Sequence, residues 1–191
     1  MDSVKRSRGG VQQNALSRDD VVRAGRELVA SQGIEKLNVA AVARKLGVTS
    51  PAVYHYVSNR DDLIRRVCEH IAREVQLPTD SSLPWDERIV AIILSMNATF
   101  SKYPGVAARV LPYRVSTKAS GRLETEVRQC LLDGGFSDED VTQIQASLHF
   151  LVGGWLLGSR PGFEEGLMIS ALLERSVRWL LSGATFDCPH D

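Results

Sequence analysis

Residues 39–57 read VAAVARKLGVTSPAVYHYV, two short segments with apolar residues at helical spacing on either side of a glycine. Ala43 is the fifth residue of this stretch and Gly47 is the ninth. A small side chain lets two helices approach closely where they cross, and glycine takes the positive φ of a tight turn at low steric cost. The apolar residues expected to face inward are Val42, Leu46, Val48 and Val53. The spacing predicts a DNA-binding helix-turn-helix, with a helical hairpin of another function as the alternative.

The charge of the chain is unevenly distributed. The whole chain carries 23 Lys or Arg and 23 Asp or Glu residues, so its formal net charge is zero. The first 60 residues contain ten basic and five acidic side chains, which leaves the remainder with five more acidic than basic ones. A basic end on an acidic body suits a polyanionic partner at one end only, although an imbalance of this size also arises by chance.

Cysteine usage and the apolar stretches favour a reduced, cytoplasmic protein. Cys68, Cys130 and Cys188 are odd in number and lack any CxxC spacing. The first ten residues have no signal-peptide core, and the apolar stretch at 148–157 is far shorter than the roughly 20 residues that span a bilayer. No phosphate-binding glycine loop, GxSxG or HExxH motif occurs, so we expect no catalytic residue, no metal and no cofactor.

Helix start and stop signals predict an all-α chain. Candidate N-caps are Ser17, Asn38, Thr49 or Ser50, and Asn59, and Gly33 ends the first helix. The fourth helix is expected over 61–76, followed by helices at 85–101, 105–115, 119–132, 138–157 and 164–181. The expected organisation is a flexible basic arm at 1–16, a helix-turn-helix domain at 17–62, a connecting helix and linker at 63–84, a helical body at 85–184 and a tail at 185–191.

The last two predicted helices carry apolar residues at helical spacing. Glycines at 153, 154 and 158 weaken the first of them, which suggests close approach of another backbone. Two such helices per subunit can form a four-helix bundle across a twofold axis, and the alternative is that they close the core of one subunit. The residues expected at a dimer interface are Ile144, Leu148, Leu151, Val152, Trp155, Leu173, Val177 and Leu180.

A ligand pocket in the body would combine apolar and aromatic walls with a few polar anchors. Residues of this kind are Met96, Asn97, Phe100, Tyr103, Tyr113, Arg114, His149, Phe150 and Trp155. Asn97 and His149 are the preferred polar anchors. Ordinary core or surface packing is the alternative for each residue, and nothing in the sequence identifies the ligand.

The third predicted helix would present its start and one face to DNA. Hydroxyl, imidazole and phenol groups there can donate to phosphates or base edges, and a methyl group can meet thymine. The residues expected to contact DNA are Asn38, Arg44, Thr49, Ser50, Pro51, Ala52, Tyr54, His55, Tyr56 and Arg60. One of the two tyrosines can instead face the core.

Residues 16–72 resemble the N-terminal domain of the tetracycline-repressor (TetR) family of transcriptional regulators. The shared elements are Gly33-Ile34, Leu46-Gly47-Val48, Val53-Tyr54, and Asn59 followed by a basic residue, an acid and Leu63. The segment Trp85-Asp86-Glu87-Arg88 is more weakly similar to the start of that family's effector domain.

The resemblance implies a homodimer that binds a pseudopalindromic operator, with the third helix of each subunit in a major groove. It also implies that the body at 85–184 dimerises and binds a small molecule that lowers DNA affinity. By position, Tyr54 corresponds to a phosphate-binding tyrosine, and Arg60 stands where the family usually has lysine. Tyr56 stands where histidine is common and Ala40 where some members place arginine, so an operator sequence cannot be transferred from a relative.

The resulting hypothesis is a ligand-released transcriptional repressor. An activator or a constitutive DNA binder, whose body binds a protein partner, is the alternative.

Overall fold

The structure, a computed structural model, describes residues 16–110, 118–158 and 166–187. Within these ranges the fold is all-α, which confirms the predicted class. The helices are α1 (Arg18–Gln32), α2 (Val39–Leu46), α3 (Ser50–Tyr54), α4 (Arg60–Ala72), α5 (Trp85–Phe100), α6 (Val106–Val110), α7 (Lys118–Asp133), α8 (Asp138–Gly158) and α9 (Gly166–Asp187). A single turn of 3₁₀ helix at Ile34–Lys36, which the sequence did not predict, lies between α1 and α2.

Short-range capping bonds fix the ends of the N-terminal helices. Ser17 and Asp20 form a reciprocal capping box at the start of α1. The side chain of Asn38 accepts a bond from the Ala41 N–H (2.9 Å), and that of Asn59 accepts one from the Asp62 N–H (2.8 Å). Gly47 ends α2 with φ of 67°, the left-handed conformation that its position in the motif predicted.

Helix α4 belongs to the N-terminal bundle as well as to the connection that follows it. It packs against α1, and its buried residues Leu63, Ile64 and Val67 lie in the same core as Val21 and Val29 of α1. The helix also contacts α5, α6 and α7. Helix α4 ends at Ala72 rather than at the predicted residue 76, and the Gln76 N–H donates to Ser95 Oγ of α5 instead (2.8 Å). We call α1–α4 the head and α5–α9 the body.

The body is built around α5, which packs against α7, α8 and α9. Ile89, Ile92 and Phe100 of α5 are buried in its core. The guanidinium of Arg178 on α9 pairs with Glu87 on α5 through two bonds of 2.7 and 3.0 Å. Cys68 and Cys130 are buried free thiols, and burial raises the pKa of Cys68 to about 11.

A polar cluster joins α1 to the segment after α4. Glu74 accepts a bond from Arg26 (2.8 Å) on one carboxylate oxygen and from the Tyr103 hydroxyl (2.8 Å) on the other. Burial alone would raise the pKa of Glu74, but the bonds from Arg26 and Tyr103 hold it below the ordinary value. The ionised carboxylate therefore stabilises the fold.

Replacing Glu74 with Gln should lower the free energy of unfolding near neutral pH by about 1–3 kcal/mol, because the half-buried Arg26 and the buried Tyr103 lose a charged acceptor. Since the folded pKa of Glu74 is depressed, its stabilisation is present above the unfolded pKa and is lost as the pH falls through the folded pKa. Urea unfolding at a series of pH values should thus show the difference between wild type and variant shrinking in acid. The exposed Glu124→Gln serves as the control. A difference that stays constant with pH would contradict this role.

Candidate nucleic-acid interface

Helix α3 is short and is held in place by its neighbours. Thr49 is its N-cap residue but makes no capping bond with its side chain, and Pro51 lies in its first turn, where the missing N–H costs little. Val53 is the buried residue of α3 and lies in the same core as Val42 and Val57. The tight turn at Gly47 and this buried contact leave most of α3 at the surface.

The exposed side of α3 matches much of the expected DNA-contacting set. Thr49, Pro51 and His55 are exposed, and Tyr54 is 53% exposed. Ser50 and Ala52 are half-buried, and Asn38 and Arg44 on α2 are exposed. Hydroxyl, imidazole and phenol groups thus lie together around one short helix, where they can donate to phosphates or base edges.

Tyr56 does not lie on this exposed side, contrary to the expectation from sequence. Its ring is half-buried and packs against the core, and its hydroxyl donates to the backbone carbonyl of Leu16. Of the two tyrosines, Tyr54 faces outward and Tyr56 faces inward. Tyr56 therefore joins the segment before α1 to the end of α3, and its direct DNA contact has no support from the geometry.

Arg60 is half-buried and bonded to the backbone. Its Nε donates to the Leu37 carbonyl (2.9 Å) and one terminal nitrogen donates to the Glu35 carbonyl (3.2 Å). These bonds fix the start of α4 to the segment before α2, which sequence spacing could not reveal because the partners lie 23 and 25 residues away. A phosphate contact by Arg60 stays a prediction.

The residues expected to line a pocket differ in how deeply the structure buries them. Asn97, Phe100 and Tyr103 are buried, whereas Met96 and Trp155 are half-buried. Tyr113 and Arg114 lie outside the described residues. His149 and Phe150 are exposed on α8, Phe150 by 78%, so the geometry of the single chain does not support a buried pocket position for either of them. The buried Asn97 amide donates to Ser170 Oγ (3.1 Å) and links α5 to α9.

The expected dimer-interface residues largely face the core of the single chain. The single chain buries five of them, which leaves them little surface to offer a partner: Ile144, Leu148, Val152, Leu173 and Val177. Leu151, Trp155 and Leu180 are half-buried and pack against the same core. The alternative reading of these positions, as closure of one subunit, fits the structure.

Large apolar side chains are exposed on other faces of the same two helices. On α8 these are Phe150 and Leu157 (50% exposed), and on α9 they are Leu172 (45%) and Trp179 (63%). Each pair is seven residues apart, which places its members on one side of the helix. A Cβ added at Gly153, Gly154 or Gly158 would meet nothing within 4 Å, so the close backbone approach suggested by these glycines is not found among the residues that the structure describes. We call these four residues the exposed apolar face: Phe150, Leu157, Leu172 and Trp179. The seven-residue spacing within each pair is the sequence signal that could have identified it.

The head also touches the body through the 3₁₀ turn. The Ile34 N–H donates to the Pro104 carbonyl (3.0 Å), and Arg109 of α6 pairs with both carboxylate oxygens of Glu35 (3.0 and 3.2 Å). Gly105 has φ of 82°, and a Cβ there would lie 2.6 Å from Ile34 Cγ2. We call this the head–body contact. Through this contact, α6 of the body binds the 3₁₀ turn that precedes α2.

In the described parts of the chain, no group of three or more metal-ligating side chains is close enough to hold a metal ion. Among the helices in those ranges, none combines the length and apolar character needed to cross a membrane.

A family model matches the head. The model described as "Bacterial regulatory proteins, tetR family" matches residues 21–67, which run from the first turns of α1 into α4. The matched region thus contains the helix-turn-helix, Gly47 and Tyr56.

Similarity to known proteins extends beyond the head. The chain is 30% identical over 148 residues to the tetracycline repressor protein class D of Escherichia coli, covering 74% of this chain and 66% of that protein. It is 25% identical over 144 residues to an HTH-type transcriptional regulator of Saccharopolyspora erythraea, covering 75% of this chain and 59% of that protein. The matched regions thus span less than two thirds of the length of these two relatives.

The whole architecture also matches a solved structure. The Streptomyces coelicolor TetR family protein ActR, crystallised in complex with actinorhodin, superposes with a TM-score of 0.78 at 18% identity, covering 93% of this chain and 99% of that one. At this identity the match shows the shared fold.

Proposed function

Because this chain belongs to the TetR family of bacterial regulatory proteins, we propose that it is a transcriptional repressor that binds a pseudopalindromic DNA operator as a homodimer and releases it when a small molecule binds the body. The observation that carries the proposal is the exposed side of α3, where Thr49, Tyr54 and His55 surround a helix anchored by buried Val53. A helix presented in this way can enter the major groove.

Tyr54 and His55 have different roles in this proposal. The Tyr54 hydroxyl donates to a phosphate and sets the register of α3, whereas His55 and Thr49 reach base edges. Asn38 and Arg44 lie on α2 beside the recognition helix α3, where they add contacts to the DNA backbone.

Dimerisation is supported by the exposed apolar face. Phe150 and Trp179 are far more exposed than large aromatic residues usually are, and Arg175 stacks over the Trp179 ring at 4.6 Å. Open space beside Gly154 would let a partner helix approach α8 closely. Two copies would then bury these faces against each other and present two recognition helices about 34–36 Å apart, one turn of DNA.

The effector would bind inside the body near the Asn97–Ser170 bond between α5 and α9. The buried Phe100 and the half-buried Met96 and Trp155 supply apolar surface, and Asn97 supplies a polar anchor. The ActR structure, solved with actinorhodin, has the same fold, which supports a ligand-binding body here. To shift the protein from 1:99 to 99:1 between two conformations, a ligand needs about 5.5 kcal/mol of differential binding.

Two connections can carry that shift to the DNA-binding helices. One is α4, which packs on α1 in the head and on α7 in the body. The other is the head–body contact, where Glu35 binds both Arg109 through its side chain and Arg60 through its carbonyl. Movement of α6 would therefore reach the starts of α2 and α4 together.

Selection of binding sites from random double-stranded DNA with the full chain tests the proposal. We expect a pseudopalindrome with half-sites about 10–10.5 base pairs apart. Thr49→Ala and His55→Ala should each change the preferred base at particular positions, and Tyr54→Phe should weaken all sites evenly, by about tenfold for a hydrogen bond to a charged phosphate. Thr79→Ala, an exposed change in the linker, is the control.

Failure to enrich any sequence would contradict the DNA-binding proposal. The repressor part is tested separately, by a thermal-shift screen of small metabolites followed by DNA-release measurements with each stabilising compound. A compound that stabilises the protein and strengthens DNA binding would contradict release by an effector.

A further inference from the structure

Two side chains of the head fix the backbone at the 3₁₀ turn. Arg60, at the start of α4, donates its Nε to the Leu37 carbonyl (2.9 Å) and a terminal nitrogen to the Glu35 carbonyl (3.2 Å). The carbonyl between these two, that of Lys36, accepts a bond from the side-chain amide of Asn38 (3.0 Å). Three consecutive carbonyls are therefore bonded, and the guanidinium of Arg60 is committed to the protein backbone.

The same turn directs the side chain of Lys36 outward. Side chains three residues apart lie on one side of a 3₁₀ helix, and Ile34 and Leu37 are both buried in the core. The two residues between them, Glu35 and Lys36, are exposed. Glu35 pairs with Arg109 of the body (3.0 Å). Lys36 is thus an exposed cation on a fixed backbone, two residues before the N-cap of α2.

Lys36 differs from several other cations of the head, because its charge is not paired. Carboxylates neutralise cations on α1, α2 and α4, in pairs that include Arg23–Asp20, Lys45–Glu27 and Arg66–Asp62. Within the described parts of the chain, the ammonium group of Lys36 forms no ion pair, since the neighbouring carboxylate of Glu35 binds Arg109. A phosphate can therefore bind Lys36 without displacing a carboxylate.

Lys36 lies at the end of α2 that the proposed function places against the DNA backbone. In a helix-turn-helix, the first helix crosses the DNA backbone while the second lies in the major groove. Asn38, the exposed N-cap of α2, is among the residues proposed to contact DNA, and its amide bonds to the Lys36 carbonyl. An ammonium group is a compact point charge, which suits a contact with a phosphate.

We propose that Lys36 binds a DNA phosphate beside the start of α2, and that Arg60 is a positioning residue that fixes the backbone beneath Lys36. The inference rests on the proposed DNA-binding function and adds a contact that sets the register of the protein on DNA without reading bases. It gives Arg60 a different role from the phosphate contact expected from sequence.

The test compares variants of the full chain on the operator obtained by selection. Fluorescence anisotropy at a series of salt concentrations measures the affinity and its salt dependence for wild type, Lys36→Ala, Arg60→Met and the double variant. The matched control is Lys45→Ala, which removes an exposed cation of the same head that Glu27 already neutralises. Because Lys36 is exposed, Lys36→Ala should unfold at the wild-type temperature.

We expect Lys36→Ala to weaken binding to all operator variants about equally, by about tenfold at roughly 0.15 M salt. The slope of log affinity against log salt should decrease by about 0.9 for each subunit. Lys45→Ala should change both quantities much less. Arg60→Met should also weaken binding, and adding Lys36→Ala to it should cost about threefold or less, because Lys36 has then already lost its fixed position.

Equal affinity and salt dependence of Lys36→Ala and Lys45→Ala would overturn the phosphate contact. Additive losses in the double variant, with the slope of Arg60→Met also reduced by about 0.9 per subunit, would overturn the positioning role and assign Arg60 to a phosphate. If Arg60→Met does not fold, Arg60→Lys replaces it. That variant keeps the charge, so it should retain the affinity if Arg60 binds a phosphate and lose affinity if Arg60 positions the backbone.

The failure of this inference is distinguishable from the failure of the proposed function. If selection enriches no operator, both are removed. If wild type and Lys36→Ala bind one selected operator equally well, only the role of Lys36 is removed.

Discussion

Replacing Phe150 and Trp179 together with glutamate should convert the proposed dimer to a monomer and abolish operator binding at nanomolar to micromolar concentrations. Central aromatic residues of an interface often contribute 2 kcal/mol or more each, and both occur twice in a symmetric dimer. The buried carboxylates would add desolvation and like-charge repulsion. Sedimentation velocity measures the mass, and fluorescence anisotropy with operator DNA measures the affinity, which should fall by more than about 100-fold.

A matched variant separates this effect from added charge. Thr79→Glu/Leu83→Glu introduces two carboxylates at exposed positions outside α8 and α9, and should leave both the mass and the affinity near those of wild type. Because Phe150 and Trp179 are exposed in the single chain, their replacement should also leave the thermal unfolding of the monomer largely unchanged. A dimer that persists in the double variant would place the interface elsewhere.

Changing Gly105 to Ala should lower the free energy of unfolding by about 2–4 kcal/mol. Alanine would be strained at φ of 82°, and its Cβ would lie 2.6 Å from the buried, β-branched Ile34. The melting temperature should therefore fall by roughly 5–12 °C. Since the displaced Ile34 belongs to the head–body contact, the head should lose its fixed position on the body, and operator affinity should fall about tenfold.

Gly121→Ala is the control for this substitution. Gly121 lies within α7, and a Cβ there would meet nothing within 4 Å, so alanine should raise stability by about 0.5–1 kcal/mol. Calorimetry of both variants, with anisotropy on the operator, checks the pair. If Gly105→Ala and wild type have the same free energy of unfolding, Ile34 can move away from residue 105 without destabilising the protein, and the expected strain is absent.

Local signals made much of the head predictable. The caps at Ser17, Asn38 and Asn59 bond to N–H groups three residues away, and the turn at Gly47 depends on its own backbone conformation. These features depend only on residues close together in the sequence. The all-α class and the order of the helices follow from them.

Contacts between distant residues were not predictable in this way. Arg60 looks like a free cation in the sequence, but its partners are carbonyls of the segment before α2. The 3₁₀ turn is held by the Pro104 carbonyl from the other part of the molecule.

The burial of the residues predicted at a dimer interface has a related reason. Helices α8 and α9 are apolar on more than one side. The spacing of apolar residues does not show which side packs within the chain and which side is exposed. Leu148 and Val177 fit the helical pattern as well as Phe150 and Trp179 do. Only the structure shows that the first two residues are buried and the last two are exposed. The predicted pocket residues show the same limit, because a polar side chain beside an aromatic one, as at His149 and Phe150, occurs on an exposed face as readily as in a pocket.

In the proposed function, the stability of α3 and its DNA sequence preference depend on different residues. Val53 is the buried residue that holds α3 on the core, whereas the side chains of Thr49, Tyr54 and His55 are exposed. Mutations at these surface positions can therefore accumulate without unfolding the head. A protein built in this way can be retargeted to a new operator by a few substitutions on an unchanged scaffold, which makes α3 the natural place to begin in redesigning its specificity.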